Sequence, residues 1–161
     1  MVRYLIILFL FTFIGCEMNG KQIIKPEKFN FDLVKFNTVS KKLIFENSEK
    51  STDAEDMKKI INYWFDNKIK TNGFNGSLNI FVKNINTQKI KKDEYFKFII
   101  EITFVFEEKS DVLSQKKTST VRVSDYGEIN GNFSIKDQEN LTINIMHQSL
   151  ENVTNKLNTQ N

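Results

Sequence analysis

An α+β fold, a two-layer sandwich ordered β-α-β-β-β-α with a mostly antiparallel four-stranded sheet packed by two helices, is predicted by three stretches of this 161-residue chain. Tyr95 to Glu107 alternates strictly. Phe96, Phe98, Ile100, Ile102, Phe104 and Phe106 fall on one face, and Lys97, Glu101, Thr103 and Glu107 on the other, which is the period of a half-buried strand. Met57, Ile60, Ile61, Trp64 and Phe65 recur at helical spacing, and so do Leu141, Ile145, Met146, Leu150, Val153 and Leu157. One amphipathic sheet face and two striped helices bury their apolar sides most simply against one another.

The chain opens with Met1-Val2-Arg3, an unbroken apolar run from Tyr4 to Ile14, and then Gly15-Cys16. A positive start, a short apolar core and a small residue make a secretory signal. The run is shorter than the roughly 20 residues a membrane span needs. Phe13-Ile14-Gly15-Cys16 resembles the lipobox of bacterial lipoproteins, with Phe13 where Leu is usual. That resemblance implies a signal peptide over residues 1–15, cleavage before Cys16, a diacylglycerol on its thiol and an acyl chain on the new amine. The mature protein would then be held to a membrane through the lipid on Cys16 and face the periplasm. An ordinary signal peptide with an incidental cysteine is the alternative. Cys16 is the only cysteine, so no disulfide closes within the chain. A lone exported thiol is a liability that acylation removes.

Residues 16–40 read as a lipid-anchored tether containing a short strand, and residues 41–161 as the globular domain. Glu17 to Glu27 is polar, with Gly20 and the single proline, Pro26. Phe29, Phe31 and Leu33 alternate briefly, and Lys42 to Glu46 is the expected first strand of the domain. Ser48 to Ser51 turns the chain. Thr52 with Glu55 three residues on fits a capping box, and Asn72-Gly73 supplies a left-handed stop to the first helix. Trp64 lies within the helix stripe, as core or as a partner-binding anchor. Strands are expected at Ser77 to Ile85, with Leu78, Ile80 and Val82 inward, at Tyr95 to Glu107, and at Thr118 to Ser124, with Val121 and Val123 inward. Asn86 to Glu94 and Lys109 to Lys117 read as long hairpin loops, Asp125-Tyr126-Gly127 as a turn, and Ile129 to Phe133 as irregular. The last helix runs from about Asp137 to Leu157, and Asn155 to Asn161 frays.

The 23 Lys and Arg against 20 Asp and Glu make no electrostatic case for nucleic acid. No catalytic signature, cofactor motif or metal set is present. His147 is the only histidine, and one His with an acylated Cys cannot build the usual zinc site. Asp53, Glu55 and Asp56 read as helix-start acids. The expectation is therefore a non-enzymatic protein. Lys89, Lys91 and Lys92 cluster in the first expected loop, and Lys109, Lys116 and Lys117 flank the second. If both loops lie at one end of the sheet, Lys89, Lys91, Lys92, Lys116 and Lys117 form a basic rim that could meet an anionic ligand or partner. Ordinary solvated lysines are the alternative.

A lipobox, a tether and then strand-helix-three strands-helix from Leu43 to Leu157 resembles the lipopolysaccharide-assembly lipoprotein family LptE. The resemblance implies a lipoprotein that plugs an outer-membrane β-barrel and helps load lipopolysaccharide. Auxiliary lipoproteins of lipid-transporting ABC systems share the layout, so an ABC transporter component is the competing partner. Glu17, rather than Asp, after the acylated Cys favours the outer over the inner membrane in the enterobacterial sorting pattern. A lipoprotein that binds a small apolar ligand between sheet and helices is a reading of a different class.

Overall fold

The computed structural model describes residues 31–46, 51–110 and 115–160. Cys16, the signal peptide and most of the expected tether lie outside these residues, as do Phe29 and most of the expected turn before Ser51. The fold is α+β, with the two helices and mostly antiparallel four-stranded sheet that the alternation and the stripes predict. In chain order the elements are β1 (Val34–Phe36), β2 (Ser40–Phe45), α1 (Thr52–Lys68), β3 (Ile69–Thr71), β4 (Ser77–Lys92), β5 (Tyr95–Ser110), β6 (Gln115–Asn130) and α2 (Ile135–Gln160). The large sheet has the order β2-β4-β5-β6. Its short edge strand β2 runs parallel to β4, and the other pairs are antiparallel. A second, two-stranded parallel sheet pairs β1 with β3. No helix among the described residues is long and apolar enough to cross a membrane.

Strand β5 is central because all six of its predicted inward residues are buried, none more than 2% exposed. Six such side chains contribute roughly 9–18 kcal/mol gross, before ordering entropy is set against them. Trp64 lies in the interlayer core, fully buried, with its ring 5.8 Å from that of Phe104. Its indole N–H donates to Thr154 Oγ1 at 2.9 Å, which satisfies the one polar group that burial would otherwise strand. In β4 a bulge at Val82/Asn84 shifts the register. Leu78, Ile80 and Val82 face inward before it, and Ile85 rather than Asn84 does so after it. The extra residue keeps the apolar phase on the core side.

Several expected boundaries move. The polar run Asn86 to Glu94 is no long loop: β4 continues through Lys92, which pairs with Tyr95 and leaves Asp93-Glu94 as the connection. The run Lys109 to Lys117 likewise ends β5 at Ser110 and starts β6 at Gln115. Backbone ladder bonds to β5 extend these strands well past the point where side-chain alternation stops. Asp125-Tyr126-Gly127 is strand, not turn, paired with Ile100, Ile99 and Phe98. A Cβ on Gly127 would stand 2.8 Å from Leu141 Cδ1 and Ile145 Cδ1, so this glycine lets α2 lie close on the sheet. The expected irregular stretch from Ile129 begins as the last two residues of β6.

Helix α1 starts one residue earlier than the expected cap. Ser51 is the N-cap, with its Oγ accepting from the Ala54 N–H at 3.1 Å, and Thr52 is the first helical residue. Asn72-Gly73 does not stop the helix, which ends at Lys68 and runs directly into β3. Gly73 has another role. Its Cβ would lie 2.5 Å from the Asn37 carbonyl carbon, and its N–H donates to Thr38 O at 3.1 Å. Helix α2 starts with a capping box the hydrophobic stripe did not reveal. The Ser134 N–H donates to Asp137 Oδ2 at 2.8 Å and the Asp137 N–H to Ser134 Oγ at 3.2 Å. The expected strand around Phe31 is realised slightly later, as β1. Phe31, Val34 and Phe36 are buried and Leu33 is half exposed, so the core already begins within the segment expected to be tether.

Candidate functional site

Both helices cover one face of the large sheet, leaving the other face open. Alternation decides which side chains reach that open face. Ile44, Phe81, Ile99 and Val105 lie on it half-buried among Lys83, Glu101, Thr103, Thr120 and Arg122. A groove of about 500 Å³ runs over its middle, lined by Lys83, Asn84, Asn86, Glu101, Thr103, Val105, Thr120 and Arg122. Lys83 Nζ sits 5.0 Å above the Phe81 ring and 2.6 Å from Glu46 Oε2. A smaller cleft of about 200 Å³ opens between β6 and α2, where Asn152 Nδ2 donates to Asp125 Oδ1 at 2.8 Å.

The antiparallel hairpins place the two predicted lysine groups at opposite ends of the sheet, so they form no single rim. Lys89, Lys91 and Lys92 lie at the end of β4, paired in register with Phe98, Phe96 and Tyr95. Lys116 and Lys117 lie at the start of β6, paired with Lys109 and Glu108. Sixteen residues of β5 separate the ends, about 50 Å at roughly 3.3 Å per residue. Lys89 Nζ is 2.7 Å from Asp53 Oδ1 and Lys116 Nζ 2.7 Å from Glu107 Oε1, while Lys117 Nζ is 4.0 Å from Glu108 Oε1. Lys91 and Lys92 are exposed.

Lys41, which the sequence did not single out, performs a structural task. Its Nζ donates to Phe65 O at 2.5 Å and Ile69 O at 2.8 Å, neutralising the carbonyl end of α1. Burial and the neighbouring Lys70 charge hold its pKa below the usual lysine value. His147 stacks on Phe31 with ring centroids 4.4 Å apart, and burial lowers its pKa against the opposing pull of Glu151. Among the described residues no group of three or more His, Cys, Asp or Glu is placed to hold a metal ion.

No protein-family model and no curated protein matches the chain. In fold it is similar to a minor lipoprotein from Acinetobacter baumannii, at 14% identity over 74% of this chain and 88% of that one, with a TM-score of 0.39. It is also similar to rare lipoprotein B from Shewanella oneidensis, at 7% identity over 75% of this chain and 92% of that one, with a TM-score of 0.41. A third similar structure is an uncharacterized lipoprotein B from Nitrosomonas europaea, at 10% identity over 80% of this chain and 88% of that one, with a TM-score of 0.34. These three solved structures are lipoproteins by name; at TM-scores below 0.5 the likeness carries no argument about what this chain does.

Proposed function

We propose that the chain is a lipid-anchored periplasmic protein that catalyses no reaction itself and assists an outer-membrane assembly complex or a lipid or lipopolysaccharide transport complex. The observation that carries this reading is the Gly15-Cys16 lipobox at the end of an apolar run, which would keep the following domain at a membrane. The domain supports it with an uncovered sheet face of mixed polar and half-buried apolar side chains, a surface suited to a protein partner. The apolar-ligand reading has less support, because Met57, Trp64, Phe104 and Phe106 are buried together between sheet and helices.

The test is recovery of partners from solubilised envelope through a C-terminal tag. Stoichiometric capture of an outer-membrane β-barrel is the expected result. Capture of an ABC transporter component favours the auxiliary-lipoprotein alternative, and a copurified lipid without protein favours the ligand-binding one. Metabolic labelling with a fatty acid tests the anchor separately. Label is expected on the wild type and lost in Cys16→Ser; equal label in both contradicts the lipoprotein reading.

A further inference from the structure

One end of the sheet carries a feature that the functional reading does not use. Phe74, between β3 and β4, is 99% exposed, and Val39, between β1 and β2, is 58% exposed. Their two loops are joined. The Gly73 N–H donates to Thr38 O at 3.1 Å, the Asn72 N–H to Phe36 O at 3.1 Å, and the Val39 N–H to Gly76 O at 3.3 Å. Gly73 is packed on the Asn37 backbone, and Gly76, at φ +80°, is packed on the Lys109 carbonyl. The backbone is thus held on both sides of Phe74, whose ring stands in water.

The surroundings of this apolar tip are basic. Ser40, Ser77, Lys109 and Lys116 form the last row that spans all four strands at this end, with Lys42 on the same face two residues further in. Lys35 and Lys70 pair in the small sheet just behind the tip. Of the acids near this end, Glu107 and Glu108 are taken by Lys116 and Lys117, and Asp66 lies beside Lys41 and Lys70. Lys35, Lys42, Lys70 and Lys109 are exposed and belong to no ion pair among the described residues. At the far end Lys89 is paired with Asp53, Lys97 faces Glu128 in register, and Asp93 and Glu94 form the connection that follows Lys91 and Lys92.

We propose that the Phe74 end of the sheet sits on an anionic bilayer, with Phe74 and Val39 entering the boundary between headgroups and acyl chains and the surrounding lysines facing lipid phosphates. A rigid apolar tip with unmatched cations gains from both parts of such a surface. A second copy of the same tip would meet it with like charge. The inference rests on the proposed anchor, which would hold the domain within reach of the bilayer.

The test uses the mature, membrane-extracted full chain in vesicles. Mass analysis first establishes whether Cys16 carries lipid, so a failure of the anchor reading is visible by itself. An environment-sensitive fluorophore is then placed on Asn75→Cys, beside the tip, or on Asp93→Cys, at the far end. Vesicles are of phosphatidylcholine alone or with about a third phosphatidylglycerol. In the anionic vesicles the position-75 probe should shift to the blue and be quenched severalfold by spin-labelled lipid. High salt should reverse the effect, and the position-93 probe should stay in water. Adding Phe74→Ser should abolish the quenching while leaving the thermal melt unchanged, since the ring packs on nothing. A position-75 probe that remains in water on anionic vesicles overturns the proposal. So does equal quenching at both positions, or burial of position 75 only when an envelope protein is added.

Discussion

At the residue scale, two glycines and a histidine separate what packing demands from what the backbone demands. The Cβ of a Gly73→Ala variant would strike the Asn37 backbone at 2.5 Å, which cannot rotate away. In Gly127→Ala it would meet side chains instead, 2.8 Å from the Leu141 and Ile145 Cδ1 methyls and 2.9 Å from Ile145 Cγ1, which give way more readily than backbone. Gly73→Ala should therefore cost about 1–3 kcal/mol, whereas Gly127→Ala should be offset by the roughly 0.5–1 kcal/mol that Ala saves in backbone entropy. Denaturant melts of the two variants check this ordering. His147 adds a pH dependence. Its folded pKa lies below the ordinary 6.5 because burial disfavours the charged ring. Its contribution is complete above that value and declines as pH falls through it toward the folded pKa. The melting temperature should thus fall as pH is lowered below the ordinary 6.5, and His147→Phe, which preserves a ring stacked on Phe31, should flatten that slope.

At the scale of elements, β5 shows how one alternating strand governs the layers around it. Phe104 is fully buried against Trp64, while its neighbour Thr103 lies on the open face. Phe104→Ala or Phe98→Ala should cost about 3–5 kcal/mol, and Thr103→Ala no more than about 0.5 kcal/mol. Chemical denaturation measures both, and comparable losses would contradict the assigned face. The helices show where stripes inform and where they do not. A stripe identifies the buried side, but it does not place the ends. The caps at Ser51 and Ser134 each bind an N–H three residues on, through polar residues outside the apolar period.

At the scale of the whole molecule, the separation of the two lysine groups changes what a partner can touch. Lys89, Lys91 and Lys92 and the pair Lys116 and Lys117 are about 33–46 Å apart along β5, at roughly 3.3 Å per residue, so their effects on partner capture should be separable. Replacing the first three by Gln should leave the fold intact, because the Lys89–Asp53 pair is exposed and such pairs contribute about 0–1 kcal/mol. Replacing the second two should be equally tolerated. Whichever set meets the partner should reduce its recovery severalfold at low salt and little at high salt, since exposed charges are screened over about 8–10 Å. Unchanged recovery in both sets would move the contact to the open face.

The sequence by itself determined the fold class, the inward face of β5, and the core residues of α1 and α2. Burial of one side writes a period of two or of 3.6 directly into the chain. The run Phe13-Ile14-Gly15-Cys16 that carries the proposed anchor was readable as a local pattern independent of folding. Tertiary structure alone decided the strand lengths, the parallel pairings of β1 with β3 and β2 with β4, and the roles of Gly73 and Gly127. Ladder hydrogen bonds are made by every backbone, polar or apolar, so Lys89 to Lys92 could become strand with no side-chain signal. The candidate surfaces were least legible of all. Whether two lysine clusters share a rim, or a phenylalanine stands in water, depends on which ends of distant strands the topology brings together.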